Sequence, residues 1–209
     1  MSVCALWHTS GVATIKDAMN KELVIGSLGT ADDTYQYPRL INNTLGTRFK
    51  IITGYPGNND VSVALERGEV QGRCGWSWSS AKSTRPAWIE EKKINILIQL
   101  SLSKHPDLPE VPLIMDLAKD DEQRQMFRLI FARQVMGRPF QSTPGVPQDR
   151  LEALQKAFMD TMKDPAFLAE ADKLKFEITP VPGPAIENLV ADILKMPPAL
   201  AERAGQLLK

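Results

Sequence analysis

The stretch FKIITGYPGNNDVSVALERG, residues 49–68, spells a strand, a turn and a helix in succession. Phe49-Lys50-Ile51-Ile52 is short, apolar and partly β-branched, the composition of a buried pleated segment. Val61-Ser62-Val63-Ala64-Leu65-Glu66 has helical period, and Gly68 stops it. Between them lies a neutral loop of Gly54, Tyr55, Pro56, Gly57, Asn58 and Asn59 at the carboxyl end of the strand. In an open α/β sheet, ligands bind beyond that end.

The same alternation extends outward. Upstream, Val3 to Trp7 reads as a strand, Thr14 to Met19 as a short helix and Glu22 to Ser27 as a buried strand. A Gly-containing turn then leads into a helix from Tyr35 to Leu45, closed by Gly46. Downstream, Val70 to Gly75 and Ile94 to Leu100 read as strands. Strands and helices in alternation, with continuous apolar strands, predict a mostly parallel sheet covered on both faces. The second half reads differently. Helices are expected over 111–118, 120–136 and 148–163, then from Pro165, then over 184–195 and 197–208. An extended piece is expected at 138–142 and a short strand from Phe176 to Thr179.

The totals limit what the chain does. It has 209 residues, 43% of them apolar, with 25 basic and 25 acidic side chains. A net charge of zero argues against a nucleic-acid surface. No apolar run reaches the ~18 residues of a membrane span. Cys4 and Cys74 read as two buried small hydrophobes; a bridge between them would require an oxidising compartment. His8 and His105 have no ligand spacing around them, so no metal and no cofactor is expected. Ser77, Ser79 and Ser80 have no acid or base at motif spacing, and neither a phosphate loop nor a dinucleotide fingerprint occurs. The chain opens in mid-strand without an export signal, which reads as a fragment or a late start.

Several blocks carry a family resemblance: GSLGT (26–30), GYPG (54–57), ALERGEVQGRCGWSW (64–78), HPDLPEVPLIMDLA (105–118) and RPFQSTPGVPQDRLEALQKAFMDTMKDPAF (138–167). Together they resemble the substrate receptors of tripartite tricarboxylate transporters, the Bug-type or TctC-like proteins, over essentially the whole chain. The resemblance implies an α/β fold of the type II periplasmic-binding-protein kind. One α/β lobe would be complete, with a mostly parallel sheet. Crossing strands and C-terminal helices would belong to an incomplete second lobe, roughly the first third being absent. The implied division is a crossing strand at 1–8, the ligand-binding lobe at 9–103, a return segment and hinge at 104–143, and a C-terminal helical region at 144–209. The implied partners are a small carboxylate ligand and a membrane permease, and the implied location is the periplasm.

The candidate site lies at three strand tips. The first holds Ser27, Gly29, Thr30, Ala31, Asp32 and Thr34, where a helix start offers bare N–H groups to a carboxylate. Asp33 with Gln36 is an alternative occupant of those donors, as a capping box. The second tip holds Tyr55, Gly57 and Asn58, polar and uncharged. At the third, Trp76 either walls a cleft or packs in the core. Arg73 precedes it within the strand: turned inward toward a carboxylate it would be a strong ligand, while an arginine on a solvated face is the commoner case. Two other readings stand beside the receptor. One is a non-binding relic that self-associates through exposed apolar faces. The other is an α/β enzyme using Tyr55 or Arg73, for which no paired acid and base is present.

Overall fold

Apolar runs become the sheet of the protein, whose computed structural model describes residues 1–209. Strands β1 (Ser2–Trp7), β2 (Glu22–Gly26), β3 (Arg48–Ile52), β4 (Gly72–Ser77) and β5 (Ile94–Leu100) form one sheet in the order β3-β2-β4-β1-β5. β2 runs parallel to both β3 and β4. β1 lies antiparallel between β4 and β5. The sheet is therefore mostly parallel, with one reversed strand, as the alternating pattern predicts.

Helices α1 (Asp17–Asn20), α2 (Asp33–Leu45), α3 (Asn58–Glu66), α4 (Trp78–Thr84) and α5 (Pro86–Glu90) follow the strands. α2 buries Tyr37, Pro38, Leu40 and Ile41 and ends at Gly46, in the left-handed conformation, whose N–H donates to the Asn42 carbonyl. The Asn42 amide then pairs with both main-chain groups of Phe49 and so fixes where β3 begins. Helices α4 and α5 were not expected. Ser and Thr favour caps over helix interiors, but burial of Trp78, Ala81 and Trp88 outweighs that preference here.

After β5, Pro109 and Pro112 bracket the segment and reduce the expected helix over 111–118 to a 3₁₀ turn, Ile114–Leu117. Buried Gln99 staples the preceding loop. Its amide donates to the Leu108 and Val111 carbonyls and accepts from the His105 N–H. Asp107 of that loop accepts from Lys82 Nζ and Trp78 Nε1 of α4. The Lys82 hydrogen bond holds the Asp107 carboxyl below its ordinary range, against the opposing effect of partial burial.

Helix α6 (Asp121–Val135) follows, then α7 (Gln148–Thr161), α8 (Pro165–Lys173), α9 (Gly183–Leu194) and α10 (Pro198–Leu207). Asp164 caps α8 by accepting the Phe167 N–H, with Pro165 at the first position. The expected strand from Phe176 to Thr179 does not form, and 138–142 is neither helix nor strand. Neither segment has a strand beside it to take up its main-chain groups.

The chain divides into two units. The first is Met1–Phe131 with Pro197–Lys209, and the second is Ala132–Met196. Within the first, α10 packs on α2. The Leu207 carbonyl accepts from Asn43 and the Lys209 carbonyl from Arg39. Within the second, α7 and α9 bury no residue fully. No helix is long and apolar enough to cross a membrane.

The two cysteines correct the sequence reading. Cys4 on β1 and Cys74 on β4 form a disulfide across 70 residues. They face each other at a bulge. Val3 pairs with Trp76 and Ala5 with Arg73, so Cys4 alone stands opposite Cys74 and Gly75. The bond was hidden from sequence because only the antiparallel pairing of β1 with β4 brings the two thiols together.

Candidate functional site

The parallel strands β2, β3 and β4 deliver their carboxyl ends to one edge of the sheet, and the predicted residues sit there. At the β2 tip, Ser27 is fully buried and its hydroxyl contacts Thr34 Oγ1 at 3.1 Å. Thr34 Oγ1 accepts the Leu28 N–H and donates to Asp32. Asp32, not the expected Asp33, is the N-cap of α2, accepting the Thr34 N–H at 2.8 Å. Gln36 donates instead to the Ala31 carbonyl, so the Asp33–Gln36 capping box is not what closes this helix. The cap is local and self-contained. It leaves the N–H groups of Gly29, Thr30 and Ala31 without a protein acceptor, at the outer edge of the turn.

The β3 tip lies against the β2 tip. Gly54 N–H donates to the Leu28 carbonyl and Tyr55 N–H to that of Ser27. The half-buried Tyr55 ring lies beside Gly26. Burial and then Glu69 push its phenol above the ordinary value, so it stays protonated at neutral pH. Gly57 is the N-cap of α3 and provides no side-chain cap.

At the β4 tip, a cavity of about 260 Å³ is lined by the start of α3, the end of β4 and α4. Of the sequence-predicted residues, Asn58 and Trp76 line it. Ser27, Gly29, Thr30, Ala31, Asp32, Thr34, Tyr55 and Gly57 lie outside its wall. Trp76 is almost fully buried. It packs edge-on against Trp88 with ring centres 5.9 Å apart, and it faces the cavity.

Of the two positions the sequence left open for Arg73, the structure takes the inward one. Arg73 is 1% exposed rather than on a solvated face. Its guanidinium lies 4.4 Å over the Trp76 ring. Nη1 donates to Ser62 Oγ and the Asn58 carbonyl, and Nη2 to Asn58 Oδ1. Nε has no partner, and no carboxylate lies within ion-pair distance. Burial, then the charge of Arg85, lower its pKa to about 10, with Asp32 acting the other way. At neutral pH it remains charged. The usable signal was an arginine within a run otherwise made of Gly, Cys and Trp, on the last parallel strand before a tip.

Fold and tip geometry together define an open α/β sheet whose parallel strands β2, β3 and β4 end along one edge. Three solved structures share the fold. A TctC solute-binding protein from Polaromonas matches 98% of this chain at 13% identity and a TM-score of 0.66. An R. palustris protein solved with adipate matches 98% at 14% and 0.58. The periplasmic binding protein BugD matches 99% at 16% and 0.60. The chain spans 64% of the first and 65% of the other two. No family model and no curated protein matches the sequence.

Proposed function

We propose that the chain is a receptor for a small organic acid, working with a membrane permease of the tripartite tricarboxylate type, and that it is not an enzyme. The carrying observation is the run of unclaimed main-chain donors at Gly29, Thr30 and Ala31. They sit where α2 begins and beside the polar Tyr55 loop. Such donors, at the positive end of a helix, suit a carboxylate. In this reading Ser27, Asp32 and Thr34 hold the turn in shape, Tyr55 and Gly57 border it, and Asn58 and Trp76 line the cavity at the β4 tip. Of the fold neighbours, one is a TctC solute-binding protein, one is a periplasmic binding protein, and one was solved with adipate. The Cys4–Cys74 bond fits an oxidising compartment such as the periplasm.

The expected result is stabilisation by acids. In a thermal-shift panel of small carboxylates, a ligand at about a hundredfold its Kd adds about 2.7 kcal/mol to the unfolding free energy. If no carboxylate raises the melting temperature at millimolar concentration, the receptor reading is wrong.

A second reading has its own support. In the unit Ala132–Met196, Phe140, Phe176 and Leu194 are 84%, 60% and 79% exposed. Apolar surface of that kind favours self-association. Light scattering decides it: a mass that grows with concentration supports association, and a monomer throughout removes it.

A further inference from the structure

A buried cation without a counter-charge needs an explanation. Desolvating a guanidinium costs several kcal/mol, and neutral oxygens repay only part of it. Proteins ordinarily place a carboxylate beside such a group. Around Arg73 there is none. Its neighbours are Ser62, Asn58 and the face of Trp76, with Arg85 opposing it electrostatically and Asp32 only a distant support. Arg73 also forms part of the wall of the cavity at the β4 tip. The uncapped start of α3 meets the same cavity through Asn58 and Asn59. The missing negative charge therefore has an opening through which to arrive.

The rest of the wall narrows the class of ligand. Asn59, Ser77, Ser80 and Thr84 are neutral hydrogen-bonding groups, and Trp76 is a flat apolar one. Arg73 is the sole charged residue among the lining. We infer that Arg73 receives one carboxylate of the ligand, and that the remainder of that ligand is uncharged and bears hydroxyl or amide groups. This inference rests on the reading of the chain as an acid receptor, moves the carboxylate from the Gly29–Ala31 donors to Arg73 at the β4-tip cavity, and narrows the ligand from organic acids in general to hydroxy-monocarboxylates. The carboxylate would accept from Nε–H and the remaining Nη2 hydrogen, the donors of the guanidinium fork that no protein group takes. A hydroxyl beside it would bond the Ser and Thr rim.

The test uses the 209-residue chain with lactate, lactamide, adipate and citrate, followed by calorimetry and by the arginine side-chain nitrogen resonances. Lactate is expected to bind and to shift the Arg73 resonances. Lactamide, which lacks the charge, is expected to bind at least tenfold more weakly, and so are adipate and citrate, whose extra charges find no partner. Arg73→Lys keeps a cation but loses the fork, and should weaken lactate at least tenfold while remaining folded by circular dichroism. Should Arg73→Lys fail to fold, the resonance shift in the unaltered chain still decides. Acid binding with unmoved Arg73 resonances overturns the inference and leaves the receptor reading standing. Tighter binding of adipate or citrate overturns the ligand class alone. Binding of none of the acids overturns both.

Discussion

Gly75→Ala is expected to lower stability by about 3 kcal/mol or more, enough to cost a domain of this size several degrees of melting temperature. Two effects add. Gly75 has φ +68°, a conformation that costs an L-residue about 1–2 kcal/mol. A side-chain carbon there would also lie 2.7 to 2.9 Å from the main chain of Asp33 and Thr34, which has little freedom to yield. Overpacking of that kind costs about 1–3 kcal/mol. Gly46→Ala is the control. It has φ +78° but open space around it, so only the conformational part is expected, about 1–2 kcal/mol. Equal losses at the two positions, measured by urea unfolding, would show that the approach of α2 to β4 matters less than argued. The substitution also reaches the candidate site, because the main chain it displaces carries the Asp32–Thr34 cap and the Ser27 contact.

Removing the disulfide is expected to cost roughly 4 kcal/mol, the chain-entropy value for a closed loop of about 70 residues. Cys4→Ala with Cys74→Ala, or the unaltered chain in reductant, should lose a comparable amount, since each frees the same loop in the unfolded state. The loss falls on a particular joint. β1 touches β4 on one side and β5 on the other, so it is what ties the parallel strands to β5. Urea midpoints with and without reductant measure the effect. A midpoint unchanged by reductant would falsify the claim that the bond stabilises the sheet. Arg73 neighbours Cys74 on β4, so a loosened β4 should also weaken acid binding.

How much of this was readable beforehand depends on the range of the interactions. β5 was legible to the residue, because Ile-Asn-Ile-Leu-Ile-Gln-Leu announces burial by its own composition. α2 and α8 were legible because their stops and caps are local: Gly46 at one, Asp164 and Pro165 at the other. The edge of the sheet that would hold a ligand followed from the parallel order of the strands. The disulfide was not legible, nor was the burial of Arg73. Each depends on which strand lies beside which, and on α3 turning Asn58 and Ser62 toward β4. α4 was missed for the opposite reason. Its Ser-rich sequence argues locally against a helix, and only the packing of Trp78 and Ala81 overrides that. The chosen capping aspartate was off by one residue, a distinction that rests on the backbone angles of Asp32.

The place of β1 in the sheet has a consequence for how the molecule is made. Its partners on both sides come much later in the chain, 70 residues on in the case of the cysteine pair. During synthesis at about 5–20 residues per second, β1 waits roughly 4 to 14 seconds before β4 exists to receive it. All that time Val3, Cys4, Ala5 and Leu6, which end fully buried, are open to other chains. Pairings so distant in sequence are also slow to form, because the loop must close before any contact rewards it. Recovery of this protein after dilution from denaturant should accordingly depend on concentration, with aggregation competing against the late insertion of β1 between β4 and β5.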